Sequence, residues 1–176
     1  FQDSEVTHVS GKVDPLADAE IIETELLLAD LETAEKKVIS FKKKASSGDK
    51  DSKKALILLE RLVKALGDGS PARILEVEEE DIPTFNALQL LTAKPILYVC
   101  NVSENSAASG NQFSSKVQEL AKTRNANMVI ISAVIEEEIS KLEDPQDASL
   151  FLKDLGLLEP GLNRIITKGK DITEEV

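Results

Sequence analysis

An α/β fold is predicted, a parallel sheet carrying an antiparallel pair of long helices, and three observations predict it. Two continuous apolar runs of strand length, 95–100 and 128–131, bracket an amphipathic stretch at 112–124. That is the order of a right-handed βαβ unit, whose two strands run parallel. Leu27, Leu31, Ala34, Val38, Phe41 and Ala45 recur at alternating spacings of four and three, and Ala55, Leu59, Leu62 and Leu66 repeat the pattern. Each set is a coiled-coil seam, and the polar turn Ala45-Ser46-Ser47-Gly48-Asp49 between them offers a glycine for a left-handed cap.

Along the chain, residues 1–13 read as a strand exit and loop, with Val6, Val9 and Val13 among polar neighbours and His8 in the loop. Asp14-Pro15 is a helix start, Asp14 as N-cap and Pro15 in the first turn, where its missing N–H costs nothing. Helical arms follow over roughly 15–45 and 51–66, the first about 45 Å long at 1.5 Å per residue. The seams fit a protruding hairpin and a pair folded down as ordinary core equally well. Gly67-Asp68-Gly69-Ser70-Pro71 breaks the second arm. The acidic run 76–81 leads into a short helix from Pro83 that carries Phe85, Leu88 and Leu91 inward. The apolar runs then read as strands buried on both faces. Short helices are expected at 136–142 and 148–155, with Pro145 between them, and a last one near 162–167. The charged tail beyond it is expected to be poorly ordered.

Composition excludes several functions. The chain has 176 residues, 41% hydrophobic and 30% charged, and no apolar run approaches the ~20 residues that span a bilayer. A single Cys cannot close an internal disulfide, which fits a reducing, cytoplasmic setting. One Cys and one His also exclude a structural zinc site. Cys100 reads as a small apolar core residue. With no Trp and one Tyr, little aromatic surface is available for stacking bases. The start, Phe1-Gln2-Asp3-Ser4, has neither an initiator Met nor a signal peptide, and reads as a piece of a longer chain.

The net charge of −11 is unevenly spread: positions 36–64 hold ten of the 21 basic residues and three of the 32 acidic ones, +7 locally against −18 elsewhere. Lys42, Lys43, Lys44, Lys50, Lys53 and Lys54 gather at the hairpin tip, where they form a solvated face or a polyanion contact. The run Glu136-Glu137-Glu138 reads as a solvated helical face.

Ligands of parallel α/β sheets bind at the carboxyl ends of the strands, here Asn101-Val102-Ser103-Glu104 and Ser132-Ala133-Val134. An Asn amide offers a donor and an acceptor side by side, suited to the N7 and exocyclic edge of a purine. A carboxylate three residues on accepts from base N–H groups, and a small Ser-Ala turn brings backbone N–H groups close. Alone, Asn-x-x-Glu equally fits a polar loop cap. Its position after a buried strand, with Ser-Ala after the next, points to a base pocket.

Three blocks of the sequence resemble the Obg-related P-loop ATPases of the YchF type, the Obg-like ATPases, over roughly residues 1 to 166. They are Gly11-Lys12-Val13-Asp14-Pro15 with Asp18, the segment 91–104, and Asp154-Leu155-Gly156-Leu157-Leu158-Glu159-Pro160-Gly161-Leu162. The resemblance implies part of a P-loop NTPase G-domain sheet with an inserted antiparallel coiled-coil hairpin. Residues 1–13 and 91–166 would form the partial G domain, 14–75 the hairpin, 76–90 a connector and 167–176 the tail. It also implies that 101–104 is the fourth G motif and 132–134 the fifth. Ordinary GTPases carry Asn-Lys-x-Asp in the fourth; here Val102 and Glu104 replace Lys and Asp, an alteration that in this family accompanies acceptance of ATP.

The chain contains no Gly-x-x-x-x-Gly-Lys-Ser/Thr loop, so the phosphate cradle and magnesium ligands of such an enzyme are not in it. The expectation is the purine-recognising portion of a ribosome-associated, cytoplasmic ATPase or GTPase, using ATP or GTP with magnesium in the full-length protein. This chain alone is not expected to hydrolyse nucleotide. A second reading, from a different class, is a non-catalytic coiled-coil module that binds ribosome, RNA or protein.

Overall fold

The computed structural model describes residues 14–174, so the strand exit and His8 expected in 1–13 lie outside the described residues. Two compact units are formed, residues 19–95 and the residues from 96 onward with the first turn of the first helix.

In the first unit, α1 (Pro15–Ser46) and α2 (Lys50–Gly67) are joined by three residues. Asp14 Oδ1 accepts the Ala17 N–H at 3.3 Å, as its capping position predicts. Gly48 turns the chain at φ +97°, a left-handed conformation that side chains disfavour. Asp49 then caps α2, accepting from the Asp51 N–H at 3.3 Å and from the Ser52 hydroxyl. Leu58, Leu59, Leu62, Leu66 and Ala34 form the buried core, with Leu27, Leu31, Val38 and Phe41 packed against it. Both seams thus face each other, and the short turn makes the pair antiparallel. Arm boundaries fall within a residue of those expected.

The segment expected to be a connector belongs to this core. Leu88 and Leu90 are buried in it, and Phe85 of α3 (Ile82–Ala87) packs on it. Leu91, expected inward, is 43% exposed. Its backbone is instead held by Asp30 of α1, whose carboxylate accepts the Leu91 N–H at 2.8 Å, the Thr92 N–H at 2.7 Å and the Thr92 hydroxyl at 2.6 Å. The compact unit runs to Pro95.

In the second unit, β1 (Leu97–Asn101) and β2 (Asn127–Ile131) pair in parallel, with Leu97 opposite Asn127 and Asn101 opposite Ile131. The crossover helix α4 (Gln112–Thr123) opens on a capping box between Asn111 and Ser114. After β2 come α5 (Ala133–Lys141), α6 (Pro145–Asp154) and α7 (Gly161–Glu174). Pro145 starts α6 rather than merely separating two helices, with Asp144 capping Gln146 at 2.8 Å.

Two expectations are corrected here. The strands are not buried on both faces: Val99 is 45% exposed, because among the described residues the sheet has only these two strands. As far as Glu174 the tail is helical rather than poorly ordered, since α7 continues to that residue with Ile172 buried. No described helix is long and apolar enough to cross a membrane.

Candidate functional site

The parallel register brings the ends of β1 and β2 side by side, so both following loops open on one edge of the sheet. Two hydrogen bonds join them. Asn101 Oδ1 accepts the Ala133 N–H at 2.9 Å, and the Val102 N–H donates to the Ile131 carbonyl at 2.9 Å. The first uses the amide acceptor expected to face a base. With that oxygen engaged, the Asn101 Nδ2 donor is the group freest to meet a ligand, and it suits an acceptor such as a purine N7.

The other predicted residues divide by exposure. Glu104 opens the exposed 3₁₀ turn Glu104–Ser106, and Ala133 and Val134 form the exposed first turn of α5. Val102 is only 3% exposed, so its side chain is a core anchor beneath the loop and offers a ligand no surface. Ser132 is 2% exposed at the N-cap position of α5, yet its hydroxyl makes no hydrogen bond among the described residues. The Cys100 thiol, at the end of β1, is pushed above its ordinary pKa by burial. It is held as the neutral thiol, a poor nucleophile.

One positioning residue escapes sequence reasoning. Glu136, read as part of a solvated face, accepts the Gly161 N–H at 2.6 Å through Oε1 and the Leu162 N–H at 3.2 Å through Oε2. It thereby satisfies the free N–H groups at the start of α7. Gly161 permits the approach, since a Cβ there would lie 2.7 Å from Ile131 Cγ2 and 2.8 Å from Glu136 Oε1. The end of β2, the start of α5 and the start of α7 are thus tied together. With the partners 25 positions apart, no local pattern signals the contact. Glu137 pairs with Lys141 at 2.6 Å along the helix, as a solvated face predicts.

At the hairpin the predicted lysines are not equivalent. Lys42 pairs with Glu60 at 3.7 Å and Lys54 with Glu80 at 2.9 Å. The Glu80 carboxylate holds the Lys54 amine above its ordinary pKa. Lys44 lies over the Phe41 ring at 5.5 Å. Lys43, Lys50 and Lys53 are exposed and form no ion pair among the described residues.

No family model matches the chain. Among curated proteins it is 45% identical over 168 residues to the ribosome-binding ATPase YchF of Bacillus subtilis (strain 168), covering 94% of this chain and 46% of that protein. It is 40% identical over 169 residues to the protein of that name from Haemophilus ducreyi, and 39% identical to that of Escherichia coli O157:H7, each match covering 96% of this chain and 46% of the relative. The chain spans just under half the length of these relatives. Among solved structures, that of the Schizosaccharomyces pombe YchF GTPase is similar with a TM-score of 0.86 at 28% identity, over 98% of this chain and 47% of that one. The architecture is that of a partial P-loop G domain, its small parallel sheet accompanied by a helical insert.

Proposed function

Because this chain is homologous over nearly all its length to part of the YchF-type proteins, we propose that it forms the base-binding half of their nucleotide site. The observation that carries the reading is the bond from the Ala133 N–H to Asn101 Oδ1, which locks the loops after two parallel strands into one edge. Asn101 Nδ2 donates to the purine, Glu104 accepts from ring or exocyclic N–H groups, and Ala133 and Val134 bound the base at the start of α5. Val102 and Ser132 hold these loops from beneath. Hydrolysis of ATP or GTP belongs to the complete protein. There a phosphate loop, and magnesium held by residues outside this chain, would provide the charge stabilisation that phosphoryl transfer needs.

Titration of this chain with adenosine and guanosine at millimolar concentration tests the reading. Amide resonances of Asn101, Glu104 and Ala133 are expected to shift saturably, and Asn101→Ala to abolish the shift. If neither nucleoside moves them, the reading fails.

The hairpin tip supports a partner proposal beside it: a polyanion such as ribosomal RNA, in a cytoplasmic protein. The relatives' name, ribosome-binding ATPase, agrees with three uncommitted lysines, Lys43, Lys50 and Lys53, flanked by Lys42, Lys44 and Lys54. Removing the three charges should lower RNA affinity and flatten its salt dependence by about three in log–log slope if each meets one phosphate. Unchanged affinity would assign the tip to a solvated face.

A further inference from the structure

We propose that a cleft between α7, β2 and the loop before α4 binds a small organic oxyanion, a carboxylate or phosphate on an apolar body, with Arg164 as its charge partner. Two adjoining cavities of about 330 and 210 Å³ share Ala108, Glu159 and Arg164 as walls. The larger is lined by Met128, Val129 and Ile130 of β2 and by the exposed Thr167 and Lys168 of α7. Its volume is at the small end of the range for small-molecule sites, roughly 300–1,000 Å³. None of the proposed base-binding residues lines it.

Arg164 is the reason to expect an anion. Its Nε is buried without a hydrogen-bond partner among the described residues, and the guanidinium makes no ion pair among them. Arg164 as a whole is only half-buried, yet a buried donor such as its Nε left unpaired is unfavourable. Once the side chain turns toward the cleft, a planar oxyanion relieves it by accepting from Nε and a neighbouring Nη together, the forked geometry that guanidinium groups favour. Lys168 is a weaker claimant, since it already lies 3.3 Å from Asp171. Glu159 on the shared wall weakens binding of a doubly charged head relative to a singly charged one. The aliphatic floor takes the apolar body. A head that satisfies Arg164 and a body that covers β2 are both required.

The test uses this chain with benzoate and phenyl phosphate, beside inorganic phosphate and benzyl alcohol as probes lacking one element each. Met128 is the only methionine, so its methyl resonance reports on the floor without ambiguity, and the Arg164 Nε–Hε resonance reports on the wall. Benzoate or phenyl phosphate should shift both saturably, the tighter of the two identifying the head group, while the Asn101 side-chain amide stays in place. Arg164→Met should weaken binding at least tenfold and Arg164→Lys less. The proposal is overturned if neither anion moves the Arg164 resonance, if Arg164→Met binds equally, if benzyl alcohol matches the anions, or if inorganic phosphate matches phenyl phosphate, an adventitious ion only. Should Arg164→Met not fold, the wild-type Nε–Hε titration against the two control probes decides alone.

Discussion

Asp30 lies within the apolar seam of α1, between Leu27 and Leu31, and is 2% exposed. A carboxylate there is tolerable only because three donors from Leu91 and Thr92 meet it, while the Thr92 hydroxyl in turn accepts the Ala72 N–H at 3.0 Å. Removing the acceptor strands those donors in the core, so Asp30→Ala should cost about 3 kcal/mol in urea unfolding, and Thr92→Val less. A loss below about 1 kcal/mol would show that water replaces the carboxylate easily. The seam positions were legible because a heptad is a local pattern. Asp30 was not, because its partners are 61 and 62 residues away. The same limit applies at the candidate site. Asn101 was readable as the first residue after an apolar strand, whereas the use of its acceptor by Ala133 depends on strand register that no single segment encodes.

Elements were most legible where a local signal marks their ends. Asp14-Pro15 begins α1, and Gly48 with Asp49 turns and restarts the chain within a residue of expectation. The end of α7 was missed because its last turns alternate Lys, Gly and Asp, and nothing in that pattern reveals that Ile172 is buried. Asp49 also gives the hairpin a pH dependence. The Ser52 hydroxyl, with backbone donors, holds its carboxylate below the ordinary aspartate pKa. A group lowered in the folded state stabilises above its unfolded pKa and loses that contribution as pH falls through the folded one. The melting temperature of Asp49→Ala should therefore lie below that of the wild type at neutral pH. The gap should close on acidification below the usual aspartate range, and a gap constant down to strong acid would remove the cap's ionised role.

At the scale of the whole chain, each unit has its own core, and the two cores are unequal. Leu58, Leu59 and Leu62 of the hairpin unit are fully buried, whereas the buried residues described in the sheet unit, Val102, Val117, Ala121, Val129 and Ile172 beside the cluster of Ala107, Ile135 and Leu152, are mostly smaller side chains, and β1 leaves Val99 at 45% exposure. Apolar burial is the main favourable term in folding, so the sheet unit is expected to open first. The sequence provides a reporter, because Tyr98 in β1 is the only tyrosine and there is no tryptophan. Fluorescence therefore follows the sheet unit, while far-ultraviolet circular dichroism is weighted toward the 32 residues of α1 and 18 of α2. In urea the fluorescence transition should precede the dichroism transition, since coincident probes are the mark of two-state unfolding and these two report on separate cores. Hydrogen exchange should agree, with α2 amides near Leu59 protected at least about tenfold more than those of β1. Superimposable transitions would mean that the units fold as one cooperative body. The weakness of the sheet unit would then be made good by contacts beyond its own core.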